Sequence, residues 1–359
     1  MFVSLHLSPQ SRSEAEDVER VEEVVQQAVL ADAAGVAAVS LTEHHLAGFN
    51  TYCDPLVLGA HLAGRLRQAY IAVHVVQLPL QHPVRVAEQC NMLDLLTRGR
   101  CMIAVAPGSV RQIELDTFGV SVEQRSEMTR QRLDAMLRAW GWTEGGDPVD
   151  VSTDYDQGVI AARLSPSSFR KPHPLIGRAT STPETIVATG RMGLPVILGP
   201  KFDRQTIALY REALTEAGHD ADTIADCEDW LSTFSLVSLA PTEAQAERRL
   251  DQYIEGGGAG PIVTAVDEGS KEWVAEWRTR QAHRRQISTP MTPDMLLERL
   301  RSLTAETGVT HHRIALAEVP GRRAENLESF QLFLEEVLPQ LDPEPLRDPA
   351  RTVLSAAAV

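Results

Sequence analysis

The stretch Val39-Ser40-Leu41-Thr42-Glu43-His44-His45 (VSLTEHH) decides how the rest of the sequence is interpreted. Apolar residues lie on both sides of Ser40, a pattern typical of a short strand covered on both faces. The strand leads into one carboxylate and two imidazoles, and parallel α/β proteins collect their chemistry at the carboxyl ends of such strands. The stretch therefore predicts a buried strand that ends at a functional site. Glu43 and the histidines would look the same if they simply bonded to neighbouring loops.

Strands and helices alternate on both sides of this stretch. Cap-type residues after Ser11 and apolar residues at helical spacing predict a helix before it, which ends at Gly35. Strict alternation up to Gly108 predicts a parallel sheet with right-handed crossovers. Together with the opening stretch, the predicted strands are Phe2–Leu7, Tyr70–Pro79, Cys101–Ala106, Leu175–Ala179, Gly193–Leu198, Leu231–Leu239 and His312–Leu316.

Eight strands with intervening helices favour an α/β fold of the closed (β/α)8 TIM barrel type with insertions, since such a barrel needs a core of about 250 residues. A doubly wound open sheet is the alternative. We expect one barrel domain over residues 1–341, followed by a C-terminal tail over 342–359. A polar, turn-rich segment at about 141–172 predicts a hairpin insertion, and a glycine-rich, charged segment at about 251–290 predicts a mobile insertion or a lid.

Composition excludes several classes of protein. The 359 residues are 43% hydrophobic and 23% charged, as is typical of a globular chain with a large core. A net charge of −15 argues against nucleic acid or an anionic membrane as a partner, because both require a basic surface. No signal peptide or apolar run of about 18 residues is found, and the four cysteines form no C-x-x-C pair. We therefore expect a soluble, cytoplasmic protein with reduced thiols.

Common cofactor motifs are missing from the sequence. No segment has the G-x-G-x-x-G fingerprint of dinucleotide-binding folds, and the glycines of 256–260 have the wrong spacing and no preceding strand. The P-loop pattern is also absent. A metal-dependent barrel hydrolase ranks last among the hypotheses, because Leu5-His6-Leu7 supplies one histidine where a paired H-x-H is expected and no H-E-x-x-H occurs. No metal ligands are predicted.

Five segments occur in the order and spacing of a known family: LTEHH (41–45), QLPLQHPVRVAE (77–88), LDLLTRGR (93–100), GLPVIL (193–198) and FQLFLEEVLP (330–339). Together they resemble the bacterial luciferase-like, flavin-dependent monooxygenases, and the luciferase α chain in particular. The match is dense over residues 1–130 and patchy over 172–200 and 290–340. Nothing matches between about 240 and 290.

The resemblance implies a barrel, usually dimeric, that binds reduced FMN (FMNH2) delivered by a separate flavin reductase. In this family the flavin reacts with O2 to give a C4a-hydroperoxide, which oxygenates an organic substrate. The missing dinucleotide fingerprint fits this arrangement, because the nicotinamide chemistry would take place on the reductase. Such a species must be kept from water, so the resemblance favours a lid role for the 251–290 insertion.

The resemblance also assigns roles around the opening stretch. His44 matches the family's catalytic histidine, and an imidazole titrates near neutrality, so it can move a proton during oxygen chemistry. Glu43 and His45 are expected to orient His44 or to support a subunit contact, and we count His45 and Phe49 as residues of the substrate pocket. Glu88 matches part of the family's dimer contact, although a solvated helix carboxylate would look the same.

Further residues are assigned to the cofactor. His74 and Val75 match a strand-end pair that in this family carries a non-proline cis peptide beneath the flavin ring. Arg125 matches an arginine that pairs with the FMN phosphate, although a surface arginine would look the same. A helix N-terminus favours an anion through its free N–H groups and its dipole. We therefore add as cofactor ligands the hydroxyl residues around one predicted helix start, Ser181, Thr182 and Thr185. Ser109, which follows the fourth strand in Pro107-Gly108-Ser109, is added as a further cofactor ligand.

One segment departs from the family pattern. Luciferase has cysteine-arginine-glycine after the fourth strand, where this chain has Ala106-Pro107-Gly108. The missing arginine is a second phosphate ligand, and the loss of such a charge-assisted hydrogen bond costs roughly 1.5–3 kcal/mol. That cost corresponds to about one to two decades of affinity. The sequence therefore predicts weaker or differently arranged FMN binding.

Three functions follow from the resemblance. The first is a two-component FMN-dependent monooxygenase that hydroxylates a hydrophobic or natural-product-like substrate, or inserts oxygen beside its carbonyl, with His44 as the proton-transfer group. The second is a deazaflavin-dependent dehydrogenase of the same superfamily, which moves hydride and needs no oxygen. The third is a non-catalytic flavin-binding accessory subunit, for which Pro107 is the best support.

Overall fold

The computed structural model describes residues 1–11, 13–46, 51–108, 112–200, 202–256 and 271–341. Its strands are β1 (Phe2–His6), β2 (Ala38–Leu41), β3 (Tyr70–Gln77), β4 (Cys101–Ala106), β5 (Val149–Asp150), β6 (Val159–Ile160), β7 (Ile176–Ala179), β8 (Val196–Ile197), β9 (Ser232–Leu239), β10 (Ser288–Met291) and β11 (His311–Leu316). Within these residues the main sheet has the order β10-β9-β11-β1-β2-β3-β4-β7-β8, and β9 also pairs with β8. That last pairing closes a ring of eight strands, so the predicted TIM barrel is confirmed.

Helices alternate with the strands. They are α1 (Glu14–Ala34), α2 (Pro55–Ala63), α3 (Pro83–Thr97), α4 (Gln112–Thr117), α5 (Arg125–Trp140), α6 (Pro183–Arg191), α7 (Arg204–Glu216), α8 (Ala221–Trp230), α9 (Glu243–Glu255), α10 (Lys271–Ile287), α11 (Pro293–Thr307) and α12 (Arg323–Leu332). Short helical turns at Leu78–Leu80, Phe333–Val337 and Leu338–Gln340 complete the described part. Every helix in that part is too short or too polar to cross a bilayer.

Local sequence signals explain where several helices begin and end. The Asp54 carboxylate accepts the free N–H groups of Leu56 and Val57 at the start of α2, and Pro55 occupies the first position, where its missing N–H costs nothing. Helix α1 ends at Gly35, whose φ of 92° lies in the left-handed region that favours glycine. The end of α1 at Gly35 was predicted from the sequence.

The described residues of 41–45 and 52–179 form one compact unit. Strands β3 and β4 are almost entirely buried, as their apolar composition predicts. The predicted hairpin is present as the antiparallel pair β5–β6. The Arg132 guanidinium binds Asp156 at 2.8 Å and the carbonyl of Pro79 at 2.6 Å. This arginine therefore fixes the hairpin's loop to the end of β3.

The described residues of 1–40, 46–51 and 180–341 form the second unit. In it β1, β9 and β11 pair in parallel, and β10 pairs with the second half of β9. Strand β10 was not predicted, because Ser288–Met291 contains a proline and no alternation. Helix α10 and β10 lie within the predicted 251–290 insertion, and residues 257–270 of it lie outside the described residues. The domain boundaries and the lid role stay predictions.

A partly buried carboxyl group in this second unit predicts pH-dependent stability. Glu318 follows β11 and accepts a hydrogen bond from the Gln27 side chain at 3.4 Å. Burial, and then the nearby Glu23 carboxylate, raise the pKa of Glu318 from 4.5 to about 7. The folded state holds this proton more tightly than the unfolded chain does, so protonation of Glu318 stabilises the folded state. This contribution to the free energy of unfolding is complete below about pH 4.5 and is lost as the pH rises through about 7.

We expect Glu318→Gln to be more stable than the wild type at pH 8 by about 1–3 kcal/mol, and to match it near pH 4.5. Urea denaturation at both pH values measures the difference. Glu336→Gln removes an exposed carboxylate of the same unit and serves as the control. An equal effect of Glu318→Gln at the two pH values would contradict the assignment.

Candidate functional site

The Glu43 carboxylate lies at the centre of the candidate site. Glu43 lies just past the end of β2 and is 2% exposed. One carboxylate oxygen accepts the backbone N–H of Gln77 at 3.1 Å and the Gln81 side chain at 3.4 Å. The Gln77 amide in turn donates to the Glu43 carbonyl at 3.0 Å. These reciprocal bonds fix the residues after β2 against the end of β3.

His45 is held on both its ring and its backbone. The ring Nε2 lies 2.9 Å from the second carboxylate oxygen of Glu43, and the backbone N–H donates to Glu114 Oε1 at 2.9 Å. The hydrogen bond to Glu43 raises the pKa of His45, against the opposing effect of its burial. Phe118 contacts the ring edge-on, with centroids 5.0 Å apart. His45 therefore has the contacts of a positioning residue.

His44 lies beside Glu114, the buried acid that also binds the backbone N–H of His45. Its Nδ1 is 3.7 Å from Glu114 Oε1, which is longer than a hydrogen bond but within ion-pair range. The His44 side chain is 32% exposed, whereas Glu114 is completely buried. An imidazole with one side toward a buried carboxylate and the other accessible is suited to receive a proton and to pass it on.

The end of β3 carries a non-proline cis peptide bond between His74 and Val75. The pairing of β3 with β4 shifts at this point, so that Val75 has no partner in the ladder. His74 is 4% exposed. The cis bond implied by the resemblance is confirmed, and its position beneath a flavin ring stays a prediction.

Arg125, at the start of α5, contacts the loop that departs from the family pattern. Its Nη1 donates to the Gly108 carbonyl at 2.8 Å. Its Nε is buried, and no acceptor among the described residues binds it. Gly108 has a φ of 78°, and a Cβ added there would lie 2.0 Å from Gln77 Oε1. The guanidinium therefore fixes the Pro107-Gly108 turn and keeps a buried donor that an anion would satisfy.

The second unit contains the predicted anion-binding helix start. A helix starts there as predicted, with Thr182 as the N-cap of α6 and Pro183 as its first residue, and Ser181 is exposed. Within the described residues the Thr182 hydroxyl makes no capping bond. A cavity of about 230 Å³ adjoins Ser181 and is also lined by Phe202. Thr185 accepts the Thr189 hydroxyl with its carbonyl. The helix start is formed as expected, while its ligand stays a prediction.

Phe49 and Ser109 lie outside the described residues. The sequence interpretation missed three residues: Gln77 and Glu114, which bind the TEHH segment, and Tyr52, whose hydroxyl oxygen accepts the Thr42 N–H at 3.1 Å. A polar residue at the end of the apolar β3 run was a usable signal for Gln77. Glu114 lies 69 residues from His45, and nothing in the local pattern separates it from a surface carboxylate.

This chain is similar to known monooxygenases, both in the family model that it matches and in related proteins. The sequence matches the model of the luciferase-like monooxygenases over residues 1–311. The alkanal monooxygenase alpha chain of the Kryptophanaron alfredi symbiont is 25% identical over 344 residues, which cover 90% of this chain and 93% of that protein. The 4-hydroxyprotoasukamycin monooxygenase of Streptomyces nodosus subsp. asukaensis is 29% identical over 233 residues, 63% of this chain and 60% of that protein.

Solved structures share the fold. Monooxygenase RslO1 from Streptomyces bottropensis has a TM-score of 0.76 at 22% identity, over 95% of this chain and 99% of that one. The oxygenating constituent of 3,6-diketocamphane monooxygenase from Pseudomonas putida, in complex with FMN, has a TM-score of 0.67 at 19% identity, over 97% and 99%. The expectation of a flavin-dependent monooxygenase is confirmed at the level of the family. With a family match over most of its length and the fold of these enzymes, the chain belongs to the luciferase-like monooxygenase family.

Proposed function

We propose that this chain is the oxygenase component of a two-component monooxygenase. It takes reduced FMN from a separate flavin reductase and uses O2 to hydroxylate a hydrophobic or natural-product-like substrate, or to insert oxygen beside its carbonyl. The observation that carries the proposal is His44, partly accessible and 3.7 Å from the buried Glu114 carboxylate. This pair supplies a proton-transfer group at the carboxyl end of a barrel strand, where such folds place their chemistry.

Arg125 supports FMN as the cofactor, because its buried Nε–H has no acceptor among the described residues. A phosphate dianion would satisfy that donor with a charge-assisted bond. Bound reduced FMN would supply the two electrons that the reduction of O2 requires. His74 and Val75, and separately Ser181, Thr182, Thr185 and Ser109, stay predicted cofactor ligands.

The three ionisable residues of the TEHH segment have different parts in this proposal. His44 transfers the proton, since it combines accessibility with a nearby acid. His45 positions the segment through its bonds to Glu43 and Glu114. Glu43 does not touch the reacting atoms in this proposal, because its oxygens are already occupied by Gln77, Gln81 and His45.

Stopped-flow mixing of the protein with reduced FMN and O2 tests the proposal. We expect a transient absorbance that outlasts the oxidation of free reduced FMN in the same buffer. Oxidation at the rate of the free flavin, together with oxygen-independent hydride transfer to a deazaflavin, would support the dehydrogenase instead. FMN binding with immediate release of hydrogen peroxide would support the accessory subunit.

Arg125→Met is expected to weaken FMN binding by about one to two decades, because a charge-assisted bond to the phosphate contributes roughly 1.5–3 kcal/mol. The affinity for riboflavin, which has no phosphate, should be unchanged. Quenching of flavin fluorescence measures both affinities. Arg130→Met, which removes an exposed arginine of the same helix, is the control. Equal losses for FMN and riboflavin would show that Arg125 does not bind the phosphate.

We also propose a dimer that forms through α2 and α3. A groove of about 440 Å³ between these helices is lined by Val57, Ala60, Glu88 and Met92. Val57 is 64% and Met92 45% exposed, and both line the same groove, so they form a shared apolar surface of the kind that a partner covers. We expect sedimentation velocity to show a dimer for the wild type and a monomer for Val57→Glu. Val159→Glu, at an equally exposed position of the hairpin, should remain dimeric.

A further inference from the structure

A buried arginine on β11 has no acidic partner among the described residues. Arg313 is 7% exposed. Its Nε donates to the Ser232 hydroxyl at 3.1 Å, and one terminal nitrogen donates to the Leu198 carbonyl. The centre of the guanidinium lies 5.2 Å from the centre of the Phe234 ring. Within the described residues these partners are all neutral.

A second buried arginine in the same unit shows the usual arrangement. Arg249 is 5% exposed and pairs with the carboxylates of Glu325 and Glu328. Burying a cation without a counterion is expensive, so buried arginines are normally paired in this way. Burial lowers the pKa of Arg313 to about 9, which still leaves it charged at neutral pH. Arg313 therefore carries a buried charge that needs an anion.

The guanidinium also has donors to spare. Of its five N–H groups, two are used in the bonds to Ser232 and Leu198 within the described part of the chain. The remaining three can form the two-pronged contact that guanidinium groups make with carboxylates. A single additional neutral acceptor would leave most of this capacity unused.

The surroundings favour an organic anion over a small inorganic one. Arg313 lies opposite Phe234 on the neighbouring strand and opposite Ser4 on β1, so these side chains share one face of the sheet. The Phe234 ring is only partly buried, and the His6 ring meets it edge-on at 6.0 Å. An aromatic surface next to a cation fits a molecule that is apolar over most of its length and anionic at one end.

We propose that Arg313 binds a carboxylate of the substrate, with Phe234 contacting the apolar part next to that group. The inference rests on the proposed function, because it names the class of substrate that the monooxygenase would accept. It identifies Arg313 as a specificity-determining residue and leaves the proton-transfer role with His44. The substrate class is therefore a hydrophobic carboxylic acid.

Binding measurements without flavin or oxygen test this inference independently of turnover. Isothermal titration compares 3-phenylpropionate with 3-phenylpropionamide, and octanoate with octanamide. We expect the wild type to bind the carboxylates about tenfold or more tightly than the matched amides. Arg313→Met should lose this preference, while Arg249→Met should keep it. A wild type with no preference, or equal behaviour of the two variants, would overturn the proposal.

Two further arms complete the test. Arg313→Lys keeps the charge but not the planar fork, so a reduced preference for the carboxylates is expected even if Arg313→Met does not fold. FMN and riboflavin affinities are measured on the same variant. A loss for FMN that riboflavin does not share would show that the anion is the cofactor's phosphate, which would overturn the substrate assignment. A normal transient absorbance in stopped flow with no carboxylate preference would leave the proposed function standing and remove only this inference.

Discussion

Gly108→Ala is expected to destabilise the protein by about 2–5 kcal/mol, because two costs add at this position. The φ of 78° lies in the left-handed region, which alanine adopts only with strain. The new Cβ would also lie 2.0 Å from Gln77 Oε1 and would displace a side chain whose amide binds the Glu43 carbonyl. Urea denaturation measures the loss. FMN affinity should fall as well, since Arg125 binds the Gly108 carbonyl.

Gly119→Ala separates the two costs. Gly119 has a φ of 67°, but no atom of the described residues, apart from its chain neighbours, lies within 4 Å of an added Cβ. Its replacement should therefore cost only the backbone strain, about 1–2 kcal/mol. If the two substitutions destabilise the protein equally, the close approach of Gly108 to Gln77 has no energetic importance.

The second large effect is expected at His44. Replacement by alanine removes the proposed proton-transfer group, and loss of a positioned acid–base group typically slows its step by about 10²–10⁴-fold. The rates at which the transient absorbance forms and decays in stopped flow measure this effect. The affinity for FMN should stay within a factor of about two, because the phosphate is assigned to Arg125.

The matched control is His61→Ala, which removes an exposed histidine of α2. Its transient should behave like that of the wild type. Unchanged kinetics in His44→Ala would show that His44 takes no part in the reaction. That result would favour the accessory subunit, in which the flavin binds without controlled turnover.

The sequence predicted most of the barrel because apolar runs between turn residues mark buried strands. The bounds of β4 were obtained correctly, and those of β3 and β9 to within two residues. Strand β10 was missed because its proline and short length resemble a loop. Its pairing with β9 depends on a distant partner, which periodicity cannot reveal.

The candidate site was predicted less completely, for a similar reason. The TEHH segment was identified because its residues are adjacent in sequence. The acid that contacts both histidines was not, because Glu114 reaches them only through the fold. The cis bond at His74 came from the resemblance alone, since no local signal distinguishes this bond from its neighbours. Arg125 was named in advance, but its bond to Gly108 was not.

Pro107, where the sequence departs from the family pattern, lies next to the contact between Arg125 and Gly108. Arg125 binds the carbonyl of the next residue, so the turn that lacks the family's arginine is held by the arginine that remains. Because Arg125 is then the one arginine proposed to bind the FMN phosphate, weaker or rearranged FMN binding stays the prediction. Pro107→Arg, measured by FMN affinity, is the natural companion to Arg125→Met.

Because one carboxylate oxygen of Glu114 contacts both the ring of His44 and the backbone N–H of His45, a change at Glu114 alters the surroundings of both residues. A substitution at Glu114 therefore changes the background in which a substitution at His44 acts. Mutational effects around this oxygen should be epistatic, and double-mutant cycles should show coupling where distant sites would simply add. Attempts to retune the proposed proton-transfer imidazole of His44 will therefore have to treat His44 and Glu114 together.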